Sequence, residues 1–334
     1  MAKGSFHSAF WLALKKFLKR SRTCMFLVYR LRGVRFVDNL KDLDRLLQDI
    51  SKRYPVFDDR AIAESSKICY RWRDLRLPKD DRSVEYARTQ ADLYQHLSGK
   101  DPHDLNQCNS EFEAGRDRHC SGSQDETSSA MAGRHSIMAG QIIRAMNLPP
   151  ASRILELGAG CGDVTQQLAH AGYRVTAVEI NRSYAERIRS RMQQSGRDVR
   201  IINQDMLDFV RNSSGEYDAA LFVASFHHCL KHVELLRYLS ERITPEGILC
   251  FADEPVFLAE NPFLPYSWGI RLDGQSLYFT RRYGWLELGF QSSYLRRVLS
   301  QLGWKMEWGT VGVEDCPDII VAGRERRRVF VEED

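Results

Sequence analysis

Residues 153–179 read RILELGAGCGDVTQQLAHAGYRVTAVE. Ile154, Leu155 and Leu157 open the run with the short apolar stretch that a strand buried on both faces needs. Gly158, Gly160 and Gly162 follow, so the chain turns sharply there and a ligand can approach the backbone with no Cβ in the way. Asp163 is predicted to cap a helix beginning at Val164, and Gly172 to end it. Arg174 to Val178 reads as a second strand with Glu179 at its C-terminal end. In a parallel sheet that end of the strands forms the ligand crevice, and an acid about twenty residues past the first glycine can bind the two hydroxyls of a ribose.

Two kinds of cofactor use such a turn. A dinucleotide fold wants G-x-G-x-x-G, with the third glycine packing helix on strand. Here that place is Asp163, and glycine falls one residue earlier, giving E-x-G-x-G-x-G from Glu156 to Gly162. A helix N-terminus suits a pyrophosphate, but a leading carboxylate does not; Glu156 suits a cationic ligand. The pattern resembles motif I of the class I S-adenosylmethionine-dependent methyltransferases, whose ligand carries an ammonium and a sulfonium.

The context continues in order. Val199 to Ile202 reads as a third strand ending in Asn203-Gln204-Asp205-Met206, and Tyr217 to Val223 as a fourth, closed by Ala224-Ser225-Phe226-His227-His228-Cys229. Leu230 to Ile243 is predicted helical, with Leu235, Leu236, Leu239 and Ile243 on one buried face. Pro245 and Gly247 are predicted to turn the chain into a fifth strand, Ile248 to Ala252, which ends at Asp253-Glu254-Pro255. Ser292 to Leu302 reads as a helix stopped by Gly303. Trp304 to Val313 and Asp318 to Ala322 match the late antiparallel pair that the family places at the sheet edge. The resemblance covers roughly 134–323. It implies a doubly wound, Rossmann-like α/β fold with a seven-stranded sheet and a late antiparallel strand, with S-adenosyl-L-methionine as cofactor. It further implies cofactor contacts from Glu156, Gly158, Ala159, Gly160 and Gly162, ribose binding at Glu179 beside Ile180, adenine binding at Asp205 and Met206, and a contact at Ala224.

With 334 residues and 43% apolar content, the chain is long enough for one large domain and an extension. A net charge of +4 does not by itself imply nucleic acid. Eight cysteines without C-x-x-C argue against a disulfide framework and for a reducing, cytoplasmic compartment. No apolar run is long enough to span a bilayer.

Residues 1–99 are predicted to form a helical extension. Before the first acid, Asp38, stand nine Lys or Arg. Phe10, Trp11, Leu14, Phe17, Leu18 and Met25 share one helical face, and Lys15, Lys16, Lys19, Arg20 and Arg22 the other. One reading is a helix across residues 6–28 lying on an anionic membrane surface; the other is a helix packing its stripe on the catalytic domain. Further helices are predicted over 38–53, 58–75 and 81–97, broken by Pro55 and Pro78 and ended by Gly99, as a cap over the crevice. From 100 to 133 the composition turns polar, as in a loop or lid. His103, Cys108, His119, Cys120 and His135 fall in or beside it, but their spacing matches no usual zinc site and no metal is expected. Ser136 to Met146 is predicted to lead, as an amphipathic helix, into the methyltransferase domain at 134–334.

Methyl transfer from a sulfonium is an in-line displacement in which much of the catalysis comes from holding the acceptor on axis. A hydroxyl acceptor also needs a base. His227 and His228 follow the fourth strand, where the family implies the methyl group; either is the base, or both only shape the wall. Glu254, at the end of the fifth strand, is the second candidate, to orient a histidine, bind the acceptor, or stand as a structural carboxylate. The insertion at 255–289 interleaves Phe257, Phe263, Tyr266, Trp268, Tyr278, Phe279, Tyr283 and Trp285 with Arg271, Asp273, Arg281 and Arg282. Rings beside charged groups suit a sugar, and adjacent arginines a phosphate or carboxylate; the plain alternative is a minor core. The expected activity is O-methylation of a small molecule or glycan hydroxyl. A base-amino methyltransferase would show an Asn/Asp-Pro-Pro-aromatic run where Ala224-Ser225-Phe226-His227 stands, so nucleic acid is disfavoured. The basic N-terminus keeps an RNA or protein acceptor open, Asp163 disfavours a nicotinamide oxidoreductase, and a silent cofactor-binding partner is the third class.

Overall fold

In the computed structural model, residues 22–54, 59–72, 76–102, 129–197, 199–310 and 318–324 are described. The N-terminal third runs α1 (Arg22–Leu31), β1 (Arg35–Val37), α2 (Leu40–Arg53), α3 (Asp59–Ser65), β2 (Ile68–Tyr70) and α4 (Val84–Ser98). After α5 (Ser129–Met146) come β3 (Arg153–Leu157), α6 (Asp163–His170), β4 (Arg174–Glu179), α7 (Arg182–Ser195), β5 (Val199–Asn203), α8 (Met206–Asn212) and β6 (Tyr217–Val223). A 3₁₀ turn, Phe226–His228, leads to α9 (His232–Arg242) and β7 (Ile243–Ala252). The insertion holds β8 (Val256–Phe257), β9 (Trp268–Ile270) and α10 (Gly274–Tyr283), and the chain closes with β10 (Leu288–Gln291), α11 (Ser292–Gln301), β11 (Trp304–Thr310) and β12 (Ile319–Arg324).

Seven strands form one sheet in the order β11-β12-β7-β6-β3-β4-β5. From β7 to β5 the pairs are parallel, whereas β12 runs against both β7 and β11. The order reverses beside β3, where a doubly wound sheet opens its crevice. Side-chain alternation along β3 supplies both faces. Ile154 packs with Val164, Leu168, Val175 and the α5 residues Ile142 and Met146. Leu155 and Leu157 face the opposite core with Phe222, Leu235, Leu239 and Phe251, where the Phe222 and Phe251 rings stack at 5.4 Å.

Several sequence expectations shift. The helix expected over 58–75 ends at Ser65, and Ile68–Tyr70 is a strand paired in parallel with Arg35–Val37. Asp163 is the first residue of α6 rather than its side-chain cap; the cap position is Gly162, at φ +79°, with no side-chain bond. Asp163 instead takes Arg191 Nη2 at 2.9 Å, while Arg191 Nη1 donates to Cys161 O at 2.6 Å, tying α7 to the glycine turn. The predicted turn at Pro245 and Gly247 lies inside β7 and coincides with a register shift against β6.

The insertion is a folded unit rather than a loop. Its β8-β10-β9 sheet buries Tyr266, Trp268, Tyr278 and Tyr283 in the same core as α2 and α4. Tyr86 Oη donates to Trp268 O at 2.9 Å, Trp268 Nε1 to Asp81 O at 2.6 Å and Ile270 N to Gln90 Oε1 at 3.0 Å. Arg281, expected to meet an anionic substrate, grips Asp44 and Leu97 O, and the Arg282 guanidinium lies 5.3 Å from the Tyr283 ring. In α1, Phe26 packs on Phe36 and Tyr29 on Phe263, whereas Leu27 and Leu31 stand exposed. The rest of that helical stripe, Phe10 to Leu18, lies outside the described residues, as do His103, Cys108, His119 and Cys120. Among the described residues no helix is long and apolar enough to cross a membrane, and Cys69, Cys229 and Cys250 are free thiols.

Candidate active site

Above the C-terminal ends of β3, β4 and β6 opens a cleft of about 400 Å³. Its floor is the glycine turn. Gly158 sits at φ +76°, and a Cβ there would come within 2.5 Å of Ser225 Cβ. Gly160, at φ +55°, has nothing within 4 Å of its missing Cβ, so the turn is bare toward the cleft. Glu179 Oε2 accepts from Gly160 N at 2.7 Å and Oε1 from Asn181 N at 2.8 Å. Backbone N–H donors thus fix the carboxylate. Burial pushes the Glu179 carboxyl up to about 7 against the pull of those N–H groups. Glu156 is buried behind the turn, accepts from Thr165 Oγ1 at 2.6 Å, and is pushed by burial up to about 8.

Of the residues expected at the cofactor, Glu156, Gly158, Ala159, Gly160, Glu179 and Ile180 line this cleft, and so do Met206 and Ala224. Gly162 and Asp205 do not. A Cβ on Gly162 would meet Ile188 at 2.7 Å, so that glycine serves helix packing. Asp205 caps α8, with Oδ1 taking Leu207 N at 2.9 Å and Asp208 N at 3.0 Å. The fit to an adenosyl sulfonium is good: an open glycine cradle, a fixed carboxylate at the end of β4, and buried acids that a cation would help to ionise.

The two histidines part company. His228 lines the cleft, and its Nδ1 lies 2.7 Å from Leu286 O. A carbonyl can only accept, so Nδ1 carries the proton and Nε2 keeps a lone pair. His227 lies behind the wall with Nδ1 2.8 Å from Glu254 Oε2, and burial holds its imidazole well below the usual histidine range. Glu254 also takes Ser225 N at 2.7 Å, Phe226 N at 2.8 Å and His227 N at 3.2 Å. Four donors on one buried carboxylate make it the clasp of the 3₁₀ turn, and it does not line the cleft. The chain enters that clasp through Ala224 at φ +47° and Asp253 at φ +55°, conformations that cost a non-glycine residue about 1–2 kcal/mol.

Glu287 escaped the sequence reading. Its carboxylate lies 3.7 Å from His227 Nε2 and 4.0 Å from His228 Nδ1 and pairs with the buried Arg271. The available signal was a lone acid inside the apolar run Trp285 to Phe290, where burial demands a partner. His227, His228 and Glu287 bring ligand-capable atoms within 4.8 Å of one another; Arg271 and Leu286 O already engage two of the three. His135, read with the lid cysteines, stands on the cleft wall with Nδ1 3.9 Å from Asp163.

Residues 154–247 match a family description of a methyltransferase domain. YqeM of Bacillus subtilis, named as a methyltransferase, is 27% identical over 109 residues, 31% of this chain and 43% of that protein. The S-adenosyl-L-methionine-dependent Diels-Alderase iccD of Talaromyces variabilis is 33% identical over 103 residues, 30% of this chain and 35% of that protein. The chain therefore spans less than half the length of these relatives. Among solved structures, magnesium protoporphyrin IX methyltransferase from Synechocystis has 16% identity and a TM-score of 0.43, over 62% of this chain and 92% of that one. The matched segment contains the glycine turn, Glu179 and the parallel strands that build the cleft, so over 154–247 the chain is similar to a methyltransferase domain.

Proposed function

We propose that this chain transfers a methyl group from S-adenosylmethionine to a hydroxyl of a small molecule, with Glu179 holding the ribose and His228 removing the proton. The observation that carries the reading is the sharing of one cleft by the bare turn at Gly160, the oriented carboxylate of Glu179 and the lone pair of His228. The cofactor supplies an already activated methyl group. The chain must therefore grip the adenosyl moiety, seat the acceptor and move one proton. Met206 gives the base an apolar face, Glu156 offers a negative end to the ligand's ammonium, and His228 acts through Nε2. His227 and Glu254 hold the turn that carries His228.

Calorimetry with S-adenosylhomocysteine and with NAD tests the reading. The thioether should bind and NAD should not; the reverse would overturn the proposal. Glu179→Ala should weaken thioether binding by about 1.5–3 kcal/mol, the worth of hydrogen bonds to a charged group. A methyl-labelled cofactor incubated with candidate acceptors then tests transfer itself. Tight thioether binding with no transfer to any hydroxyl would leave a cofactor-binding protein and remove the enzyme.

A further inference from the structure

Helix α1 (Arg22–Leu31) buries one side and leaves the other bare. Met25 is buried, Phe26 packs edge-on against Phe36 at 5.0 Å, and Tyr29 against Phe263 at 5.6 Å. Leu27, Arg30 and Leu31, spaced i, i+3 and i+4, share the opposite face, where Leu27 is 58% and Leu31 80% exposed. Four exposed cations, Arg30, Arg32, Arg35 and Lys67, belong to this helix, the turn after it and the β1–β2 pair. Arg35 N donates to Lys67 O at 2.7 Å, which sets those two residues side by side. Among the described residues none of the four has a carboxylate partner, and Arg32 only lies 5.8 Å from the Tyr29 ring. The acids nearest in the chain are taken: Asp38 holds Arg71 at 2.6 Å, and Glu64 holds Arg53 at 2.7 Å and Tyr54 Oη at 2.8 Å. Elsewhere Arg153, Arg191, Arg211 and Arg281 are each held by an acid, so the cluster of unpaired cations is a local feature.

We propose that this face docks on an anionic phospholipid bilayer, with Leu27 and Leu31 entering the headgroup–acyl boundary and Arg30, Arg32, Arg35 and Lys67 held at lipid phosphates. The proposal stands apart from the methyltransferase reading. Its two parts answer the two layers of such a surface: cations are drawn to the negative headgroups, and exposed leucines are buried where hydrocarbon lies beneath. Attachment of a peripheral protein takes both contributions, because either alone holds it only marginally. A second copy of the chain fits worse, since a two-fold contact would set the same four cations against one another. A nucleic acid offers phosphates to the cations but no apolar layer for the two leucines. The sequence leading into α1 continues the chemistry: nine Lys or Arg and no acid precede Asp38.

The test uses the full chain and sedimented vesicles, one set of phosphatidylcholine and one of phosphatidylcholine mixed equally with phosphatidylglycerol. The chain should partition onto the mixed vesicles and not onto the neutral ones, and added salt should release it. Arg30→Gln with Arg35→Gln should weaken partition by at least about tenfold, and so, by about the same factor, should Leu27→Gln with Leu31→Gln. All four side chains are exposed and none lines the cleft, so both variants should melt as the wild type does, which separates lost docking from lost fold. Equal partition onto both vesicle sets, partition onto neither, or full retention by the arginine variant overturns the proposal. So does a dimer in sedimentation velocity that Leu27→Gln with Leu31→Gln dissolves, which would make the face a contact between copies. Tighter binding to polyuridylate than to the mixed vesicles also overturns it, by assigning the cations to nucleic acid.

Discussion

At the scale of single residues, adjacent identical side chains are set apart by what holds their Nδ1 atoms. Leu286 O holds His228 on the cleft wall, and Glu254 holds His227 behind it. His228→Ala should lower kcat by about a hundred- to ten-thousand-fold, the usual share of general-base catalysis, erase the acid limb of the pH–rate profile and leave thioether affinity unchanged. His227→Ala should keep the acid limb and lose about 1–3 kcal/mol of stability, because Glu254 is left short of a donor. An acid limb that survives in the His228 variant would take histidine out of the proton step. The buried acids give a second prediction. Folded Glu156 and Glu179 hold protons up to about 8 and 7, whereas the unfolded chain releases them near the ordinary glutamate value of about 4.3. The folded state therefore binds more protons across that interval, and stability must fall as pH rises through it. Above the ordinary histidine range the neutral buried imidazoles add nothing, so between about pH 6.5 and 8.5 the cofactor-free protein should lose on the order of 2 kcal/mol. Thermal melts should record the loss, and Glu156→Gln should flatten it; a flat wild-type profile would refute the assignment.

At the scale of elements, what the sequence made legible was local. β3, the glycine turn and β4 follow from an apolar run, three glycines and a terminal acid within one short stretch, and each is dictated by neighbours in the chain. The clasp at Glu254 was not legible in that way, because its four donors come from residues 225–227 across the sheet. Nor was β2: Ile68–Tyr70 is a strand only because Arg35–Val37 lies alongside, and three residues carry no periodicity of their own. Asp163 has the chemistry of a cap, but the partner that claims it, Arg191, sits a helix away. Candidate site residues on strand ends were therefore readable, whereas Glu287 and the carbonyl of Leu286, brought in by the insertion, were not. The clasp itself can be tested. Glu254→Gln would set an amide N–H2 against N–H donors, so it should cost about 1–3 kcal/mol in urea unfolding and disturb His228 only through the turn. Unchanged stability would show that the backbone at Ala224 and Asp253 holds the turn unaided.

At the scale of the whole molecule, the extension, the domain and the insertion drawn along the sequence share one core. Tyr86, Leu93, Tyr94 and Leu97 of α4 share one core with Trp268, Ile270, Leu277 and Tyr283 of the insertion and with Leu155 and Phe222 of the large sheet. Gly269 shows how close the join is, since a Cβ there would fall 2.2 Å from the Gln90 amide. The extension also reaches the cleft, where Tyr94 lines the wall beside Asp101 and Pro102 of the segment that follows it. A chain cut to residues 134–334 would thus expose the ring cluster of the insertion and remove part of the site, and each large core side chain so uncovered is worth about 1.5–3 kcal/mol of lost burial. The truncated chain should aggregate, or fold without measurable affinity for the thioether, even though the glycine turn and Glu179 remain in it. Sedimentation velocity and thioether calorimetry on that chain decide the matter. A monodisperse fragment that binds thioether as the full chain does would show the extension to be an independent module; loss of both solubility and binding would show that it completes the domain.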